Sequence, residues 1–333
     1  MEQAAAQEKG YPAKAVESYR KALIAGAAKN DLWEAQIRTR MGELLIGLKK
    51  KEAIAQLAKA EALYTRHNDL ASRIKTNTLL AVNFLENKEF RSALKRFDTL
   101  YVLQIKAGEA VQAGNTALMV SDLFMKKQDL YQAFNYADKA KDAYELVCNR
   151  DSLGSTYLKI AEIKRKQKKL NLAEYYVISK ALPHFSAADN FKGRIRSFNF
   201  LGHMYRDQKR YPQAKWFFIQ SNTQARSIND TSATISSLFN LSIVKAISGG
   251  ASLAKRDLEE IRTLCRQSNY SHLSRQFEAR YPTLLKKLGY ITIPQTSKQT
   301  VKPETVVIDK KKPLTAGTSA PPVSEDVGNF SKL

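Results

Sequence analysis

Small and large apolar residues recur along this chain with a period of about 40 residues. An alanine is followed four residues later by a second apolar residue, as Phe97 follows Ala93 and Phe218 follows Ala214. We call the recurring residues the key alanines: Ala15, Ala53, Ala93, Ala133, Ala173, Ala214 and Ala254. The steps from Ala53 to Ala173 are equal, and the step from Ala173 to Ala214 is longer by a single residue. A period of this length predicts an array of repeated structural units.

A second series of small residues predicts that each unit contains two helices. Its members precede successive key alanines at one constant spacing, each after a large apolar residue: Ala81, Ser121, Ala161, Gly202 and Ser242. Small side chains let two helices approach closely, while their large neighbours fill the seam. Helix N-caps are predicted where a side-chain oxygen recurs near one end of successive units, at Asn30-Asp31, Asn68-Asp69, Asn149 with Asp151, Asp189-Asn190 and Asn229-Asp230.

These residues resemble the tetratricopeptide repeats (TPR), a superfamily of helix-turn-helix units. The matching positions are Gly202, Tyr205, Tyr211, Ala214 and Phe218 in one unit, Ala81, Phe84, Phe90, Ala93 and Phe97 in another, and Ser121, Phe124, Leu130 and Ala133 in a third. The resemblance covers roughly residues 1–268 and implies an all-α, right-handed solenoid of about seven units. A typical TPR unit has about 34 residues, so we interpret the longer period as longer helices; HEAT units, which have about 40 residues or more, are the alternative.

The composition changes twice towards the C-terminus. Residues 269–290 have apolar positions at helical spacing, which predicts a capping helix with a kink at Pro282. A solenoid needs such a cap to cover its last apolar face. Residues 291–333 contain five prolines and no helical period, which predicts a disordered tail.

Three adjacent aromatic residues, Trp216, Phe217 and Phe218, form either a ligand cage or a packing surface. Phe218 falls on the predicted seam within its unit, and the period favours packing. We expect Trp216 and Phe217, at other angles around the helix, to pack against the neighbouring repeat.

The charge of the chain favours acidic partners. Lys and Arg number 54 against 32 Asp and Glu, which gives a formal net charge of +22. Protein, nucleic acid and anionic membrane surfaces all fit this charge. Membrane-spanning and signal-peptide patterns are missing from the sequence as written. We expect a soluble, cytoplasmic chain, or an exported one if the natural sequence begins upstream with a signal.

We found no catalytic, metal-binding or cofactor motif in the sequence. Phosphate-binding glycine loops, nucleophile-base pairs, paired cysteine motifs and calcium loops are absent. The four histidines, His67, His184, His203 and His272, are dispersed, and Cys148 and Cys265 match no metal-ligand spacing. The sequence therefore predicts a protein that is not an enzyme and binds no cofactor.

The resemblance implies that the first helices line a concave groove. Positions 18, 15, 11, 8 and 7 before each key alanine would then face a ligand, and in two adjacent units they form a basic surface. The candidate binding residues are Arg165, Lys166, Arg196, Asn199, His203 and Arg206. We expect them to hold an acidic peptide or a C-terminal carboxylate by charge-assisted hydrogen bonds. A solvated polar helix face is the alternative.

The predicted function is a scaffold or regulator that binds a partner protein. Two alternatives stay open: binding of nucleic acid or another polyanion through the basic exterior, and a sensor module of a larger signalling protein. The run KRKQKK, Lys164 to Lys169, could contact phosphates, but no aromatic platform alternates with its bases.

Overall fold

The computed structural model describes residues 10–26, 30–268 and 270–289, and every regular element in these ranges is helical. The first eight helices are α1 (Pro12–Gly26), α2 (Asp31–Ile46), α3 (Lys50–Arg66), α4 (Leu70–Glu86), α5 (Phe90–Lys106), α6 (Ala110–Lys126), α7 (Leu130–Leu146) and α8 (Arg150–Lys166). They are followed by α9 (Leu170–Tyr175), a π-helical turn (Tyr176–Ala181), α10 (Leu182–Ala187), α11 (Phe191–Asp207), α12 (Tyr211–Ser227), α13 (Thr231–Ile247), α14 (Ala251–Ser268), α15 (Ser271–Arg280) and α16 (Pro282–Lys287). The predicted tail, 291–333, lies outside the described residues.

The helices pack as consecutive antiparallel pairs, which confirms the all-α solenoid. The pairs are α2–α3, α4–α5, α6–α7, α8 with the continuous segment α9 to α10, α11–α12 and α13–α14. Helix α1 holds Ala15 and corresponds to the second helix of a preceding unit. We call the members of each pair the first and the second helix.

The seam between the two helices of each pair is built as the sequence predicts. All the key alanines are buried, as are Ala81, Ser121, Ala161 and Ser242 of the second series. Gly202 shows why small residues are needed there: a β-carbon at this position would lie 2.5 Å from the ring of Phe218. Burial of a ring such as Phe218 contributes about 2 to 3 kcal/mol.

The turns from the end of α3 to the start of α14 each have one residue in the left-handed conformation. At the turn after α3, Asn68 has a φ of 53°. The N–H of Asp69 donates to the carbonyl of Tyr64 at 3.0 Å, and that of Asn68 donates to Thr65 at 3.2 Å. This pair of hydrogen bonds is the Schellman motif. The left-handed residues recur once per helix, at Asn68, Lys88, Gly108, Gln128, Cys148, Lys168, Asp189, Lys209, Asn229 and Gly249.

The predicted N-caps are confirmed at the start of the first helices. Asp69 accepts a hydrogen bond from the N–H of Ser72 at 3.1 Å, and Asp230 accepts one from Ala233 at 2.9 Å. Equivalent bonds are made by Asn30, Asn149 and Asn190. These side chains satisfy backbone donors that the first turn of a helix leaves free.

A π-helical turn accounts for the longer step from Ala173 to Ala214 in the series of key alanines. Such a turn inserts one extra residue into an α-helix. The second helix of the fourth complete pair contains this turn, Tyr176–Ala181, downstream of Ala173. The next key alanine, Ala214, is displaced by the same single residue.

The three adjacent aromatic residues have different environments. Phe218 is fully buried, as predicted. Phe217 stacks on Tyr205 of its own unit, with ring centroids 5.4 Å apart. The expectation that Trp216 packs against the neighbouring repeat is wrong: its side chain is 53 % exposed and touches Phe217 edge-on at 4.8 Å. Trp216 points outward because Phe217 and Phe218 already occupy the two inward directions of that helical turn.

The segment predicted as one capping helix forms two helices, α15 and α16, which meet at Tyr281. The break falls before Pro282 because proline disfavours helical geometry in the preceding residue, and Tyr281 has a φ of −126°. Leu273 and Leu285 are buried, and Phe277 stacks on Phe239 of α13 at 3.8 Å. These contacts cover the apolar face of the last helix pair.

Candidate functional site

The first helices form one layer of the array, which we call the inner layer because the resemblance to TPR proteins implies that it lines the concave groove. Within one layer, close backbone approaches between consecutive units join α2 to α4, α8 to α11, and α11 to α13, all of them first helices. Long side chains bridge neighbouring second helices, such as Arg226 of α12 with Glu260 of α14 at 2.5 Å.

The predicted binding residues lie on two adjacent first helices. Arg165 and Lys166 end α8, and the other four follow α11 at spacings of three and four residues: Arg196, Asn199, His203 and Arg206. This spacing places side chains on one face of a helix. The two helices are linked at both ends of the stripe, because Arg196 contacts the Ser155 hydroxyl at 3.5 Å and Arg165 contacts Asp207 at 3.4 Å.

Asp207 offsets part of the positive charge at one end of this surface. Its carboxylate lies 3.4 Å from the guanidinium of Arg165 and 3.1 Å from that of Arg206. The side chain of Arg206 is only 15 % exposed, whereas Arg196 and Lys166 are exposed. The cations most accessible to a ligand are therefore Arg196 and Lys166.

His203 is neutral at physiological pH. Burial lowers the pKa of its imidazole to about 3, and the positive charges of Arg206, Arg280 and Arg165 act in the same direction. The ring meets Phe218 edge-on, with centroids 5.1 Å apart. His203 therefore adds no charge to the surface, contrary to its interpretation as a member of a basic groove.

Two buried polar atoms on this surface lack hydrogen-bond partners among the described residues. They are Nε of Arg165 and Oδ1 of Asn199. Leaving a buried polar atom unpaired costs about 1 to 3 kcal/mol. Both atoms are buried, so neither is exposed to a ligand in this conformation.

Another part of the inner layer is acidic and internally paired. Lys159 of α8 contacts Asp122 of α6 at 2.8 Å and Glu162 at 3.4 Å. Burial works to lower the pKa of Lys159, but Glu162 and Asp122 outweigh it and raise that pKa. The surface between α6 and α8 therefore carries carboxylates that the surface between Arg196 and Arg206 on α11 lacks.

Residues at the junction of α15 and α16 border one side of the site. Arg206 donates to the hydroxyl of Tyr281 at 3.4 Å, although 75 residues separate them. Arg280 contributes to the low pKa of His203 and so acts on the same surface. The repeat pattern contained no signal for this contact, because the period ends before residue 271.

The described ranges contain no cluster of three or more His, Cys, Asp or Glu side chains that could hold a metal ion. Across residues 10–26, 30–268 and 270–289, no helix is both long and apolar enough to cross a membrane. Both cysteines are free thiols, Cys148 exposed and Cys265 buried.

Solved structures of TPR proteins share this architecture. The C-terminal part of a TPR repeat-containing protein from Cytophaga hutchinsonii superposes with a TM-score of 0.55 at 12 % identity, over 88 % of this chain and 99 % of that one. A signal transduction ATPase (STAND) with a TPR sensor from Pyrococcus horikoshii gives a TM-score of 0.54 at 16 % identity, over 84 % of this chain and 43 % of that one. A further similar structure, BtubC (BKLC) from P. vanneervenii, gives 0.52 at 14 % identity, over 79 % and 99 %.

These similarities show that the chain has a TPR-like helical repeat fold. This chain spans less than half the length of the P. horikoshii protein. No protein-family model matches the sequence. No curated protein matches it either.

Proposed function

We propose that this chain is a non-catalytic binding module that holds an acidic segment of a partner protein between α8 and α11. The observation that carries the proposal is the row of Arg165, Arg196 and Arg206 along one surface of α8 and α11. Arginine pairs with carboxylates through bidentate, charge-assisted hydrogen bonds.

The fold provides this surface in advance. Each helix is fixed by a buried seam, and the two helices of the site are linked through Arg165 with Asp207 and Arg196 with Ser155. A pre-formed surface loses little conformational entropy on binding. The mechanism is therefore capture of an extended or helical segment by a rigid groove.

A sensor role within a longer signalling protein is the second candidate. Its support is the similarity to the P. horikoshii ATPase, which is described as having a TPR sensor. In that case the acidic segment would belong to the signalling partner or to another domain of the same protein.

Selection from a random peptide library tests the proposal. We expect the wild-type chain to enrich acidic peptides, and the exposed double variant Lys166→Glu/Arg196→Glu to lose them. The control Lys21→Glu/Lys106→Glu changes the net charge equally on exposed positions of α1 and α5, outside the inner layer. Equal enrichment by all three proteins would contradict the proposed site. If the wild-type chain enriched no acidic peptide but retained nucleic acid in a parallel binding assay, the polyanion alternative would be favoured.

A further inference from the structure

The outer surface of two adjacent units carries a cluster of exposed apolar side chains, which we call the outer patch. It consists of Leu172, Tyr175, Ile178, Trp216 and Ile219. Trp216 is 53 % exposed and Tyr175 is 47 % exposed. Single exposed apolar residues are common on proteins, but contiguous groups of large ones mark interaction surfaces.

The side chains of the outer patch share one register on consecutive second helices. Tyr175 and Trp216 each lie two residues after their key alanine, and Ile178 and Ile219 each lie five residues after it. In the other units these two positions hold smaller or polar residues: Glu17 and Arg20, Ala55 and Ala58, Lys95 and Asp98, Asn135 and Asp138, and Arg256 and Glu259. The repeat therefore does not require apolar residues here, and the outer patch is specific to two units.

Tyr205 of α11 links the two helices that carry the outer patch. Its hydroxyl donates to the carboxylate of Glu174, and its ring stacks on Phe217 at 5.4 Å. Tyr175 follows Glu174 in the chain, and Trp216 precedes Phe217. Glu174 is the only acidic residue of the segment from α9 to α10, and α12 has none, so these two helices offer the patch no free carboxylate.

Several cations lie near the outer patch, in space or along the chain. Lys168 and Lys169 line a shallow depression together with Leu172, and the ammonium group of Lys180 lies 6.0 Å from the ring centroid of Tyr175. Lys215 precedes Trp216, and the exposed pair Lys209-Arg210 leads into α12. We call Lys168, Lys169, Lys180, Lys209, Arg210 and Lys215 the basic rim.

Two lysines of the basic rim have a backbone conformation that other residue types adopt at lower cost. Lys168 and Lys209 both have a φ of 60°. Glycine and asparagine adopt this left-handed conformation at lower cost, and Gly108 and Asn229 hold the equivalent place in other turns. Lys88 holds the same place in a turn outside the basic rim, so the position of Lys168 and Lys209 at exposed turn tips, and not their backbone conformation, is what bears on a partner.

We propose that the outer patch and its basic rim bind the surface of an anionic lipid bilayer. Trp and Tyr favour the interface between headgroups and acyl chains, and Ile and Leu insert beside them. Lysines at the edge attract acidic headgroups. A protein partner is less well matched, because lysine is depleted in protein interfaces. Nucleic acid would leave the aliphatic side chains without an apolar partner.

Vesicle flotation and tryptophan fluorescence test the proposal with the full chain. The variant Trp33→Phe leaves Trp216 as the single reporter among the two tryptophans. With vesicles of phosphatidylglycerol and phosphatidylcholine in equal parts, we expect co-flotation and a blue shift of Trp216 emission that brominated lipids quench. Vesicles of phosphatidylcholine alone should bind at least about tenfold more weakly.

Charge and apolar variants separate the two contributions. Lys168→Glu/Lys169→Glu should weaken vesicle binding at least about tenfold, while the equally charged control Lys21→Glu/Lys106→Glu should bind nearly as the wild type does. The fold tolerates acidic residues at this turn, since Glu89 occupies the equivalent of Lys169. Trp216→Ser/Ile219→Ser should weaken binding with the basic rim intact.

Three results would overturn the proposal: no flotation with the anionic vesicles, equal weakening by the rim and control variants, or flotation without a change in Trp216 emission. If the outer patch selectively retained an acidic protein and did not bind the anionic vesicles, the surface would be assigned to a protein partner instead.

Discussion

Phe185 occupies the place in its unit that Tyr144 occupies one unit earlier, yet it follows its key alanine at a spacing longer by one residue. Both rings are fully buried, and each faces a glycine of the preceding first helix. A β-carbon on Gly114 would meet the Tyr144 ring at 2.5 Å, and one on Gly154 would meet the Phe185 ring at 2.8 Å. The step between the two rings is one residue longer than the step between the two glycines, so the second helix has gained one residue relative to the first.

The π turn should therefore tolerate loss of a residue. Deletion of Ser179, which is exposed within the turn, would bring Ala181 and Phe185 to the spacing of Ala140 and Tyr144 from their key alanine. We expect the free energy of unfolding to change by no more than about 1 kcal/mol, because π geometry is itself disfavoured. Denaturant unfolding followed by circular dichroism measures the change.

Deletion of Thr223 is the matched control for this prediction. Thr223 is exposed on the regular helix α12, and its loss would move Arg226 to the buried position of Ala225. Burying an unpaired charge costs several kcal/mol, so this variant should lose most of its stability. If both deletions lowered the free energy of unfolding equally, the π turn would not be the place where an extra residue is accommodated.

Much of this architecture follows from the sequence because each unit repeats the same local chemistry. The key alanines and the aspartate and asparagine caps act within one helix pair, so their spacing predicts seams and helix starts. The longer step from Ala173 to Ala214 revealed one extra residue, but periodicity could not place it inside a helix. The site was less accessible to prediction, since the neutral state of His203 depends on burial and on charges from three separate helices.

Substitution of Gly202 tests the predicted seam. Gly202→Ala places a β-carbon 2.5 Å from the ring of Phe218, which is fully buried and cannot move away freely. We expect overpacking to cost about 1 to 3 kcal/mol in denaturant unfolding. Gly47→Ala is the control, because a β-carbon there has no neighbour within 4 Å and Gly47 has a φ of −78°. Equal effects of the two changes would contradict the assigned register.

The histidine on the candidate surface should destabilise the fold in acid. The pKa of His203 is about 3 in the folded chain against a usual value of 6.5, so the unfolded chain binds a proton that the folded one does not. Its contribution to stability is complete above pH 6.5 and is lost as the pH falls towards 3. His203→Gln should remove this part of the acid dependence, as thermal unfolding between about pH 8 and pH 4 would show. Parallel pH profiles would contradict the low pKa.

A half-buried ion pair joins the two helices of the last pair. Lys245 of α13 contacts both carboxylate oxygens of Asp257 of α14, at 2.8 and 2.6 Å. Burial raises the pKa of Asp257, and Lys245 opposes this shift. Lys245→Met should cost up to about 3 kcal/mol, because it leaves the carboxylate unpaired. Lys245→Met/Asp257→Leu should recover most of this loss, whereas additive losses would indicate that the pair is not coupled.

The most direct test of the proposed binding function is the position at which an acidic ligand touches the chain. A photo-crosslinking amino acid can replace Lys192, exposed one turn before Arg196 on α11, or Thr223, exposed on the outer face of α12. With an acidic peptide selected by the wild-type protein, mass spectrometry should find crosslinks from position 192 and few from position 223. Crosslinks that form equally at both positions, or mainly from 223, would contradict a ligand site between α8 and α11.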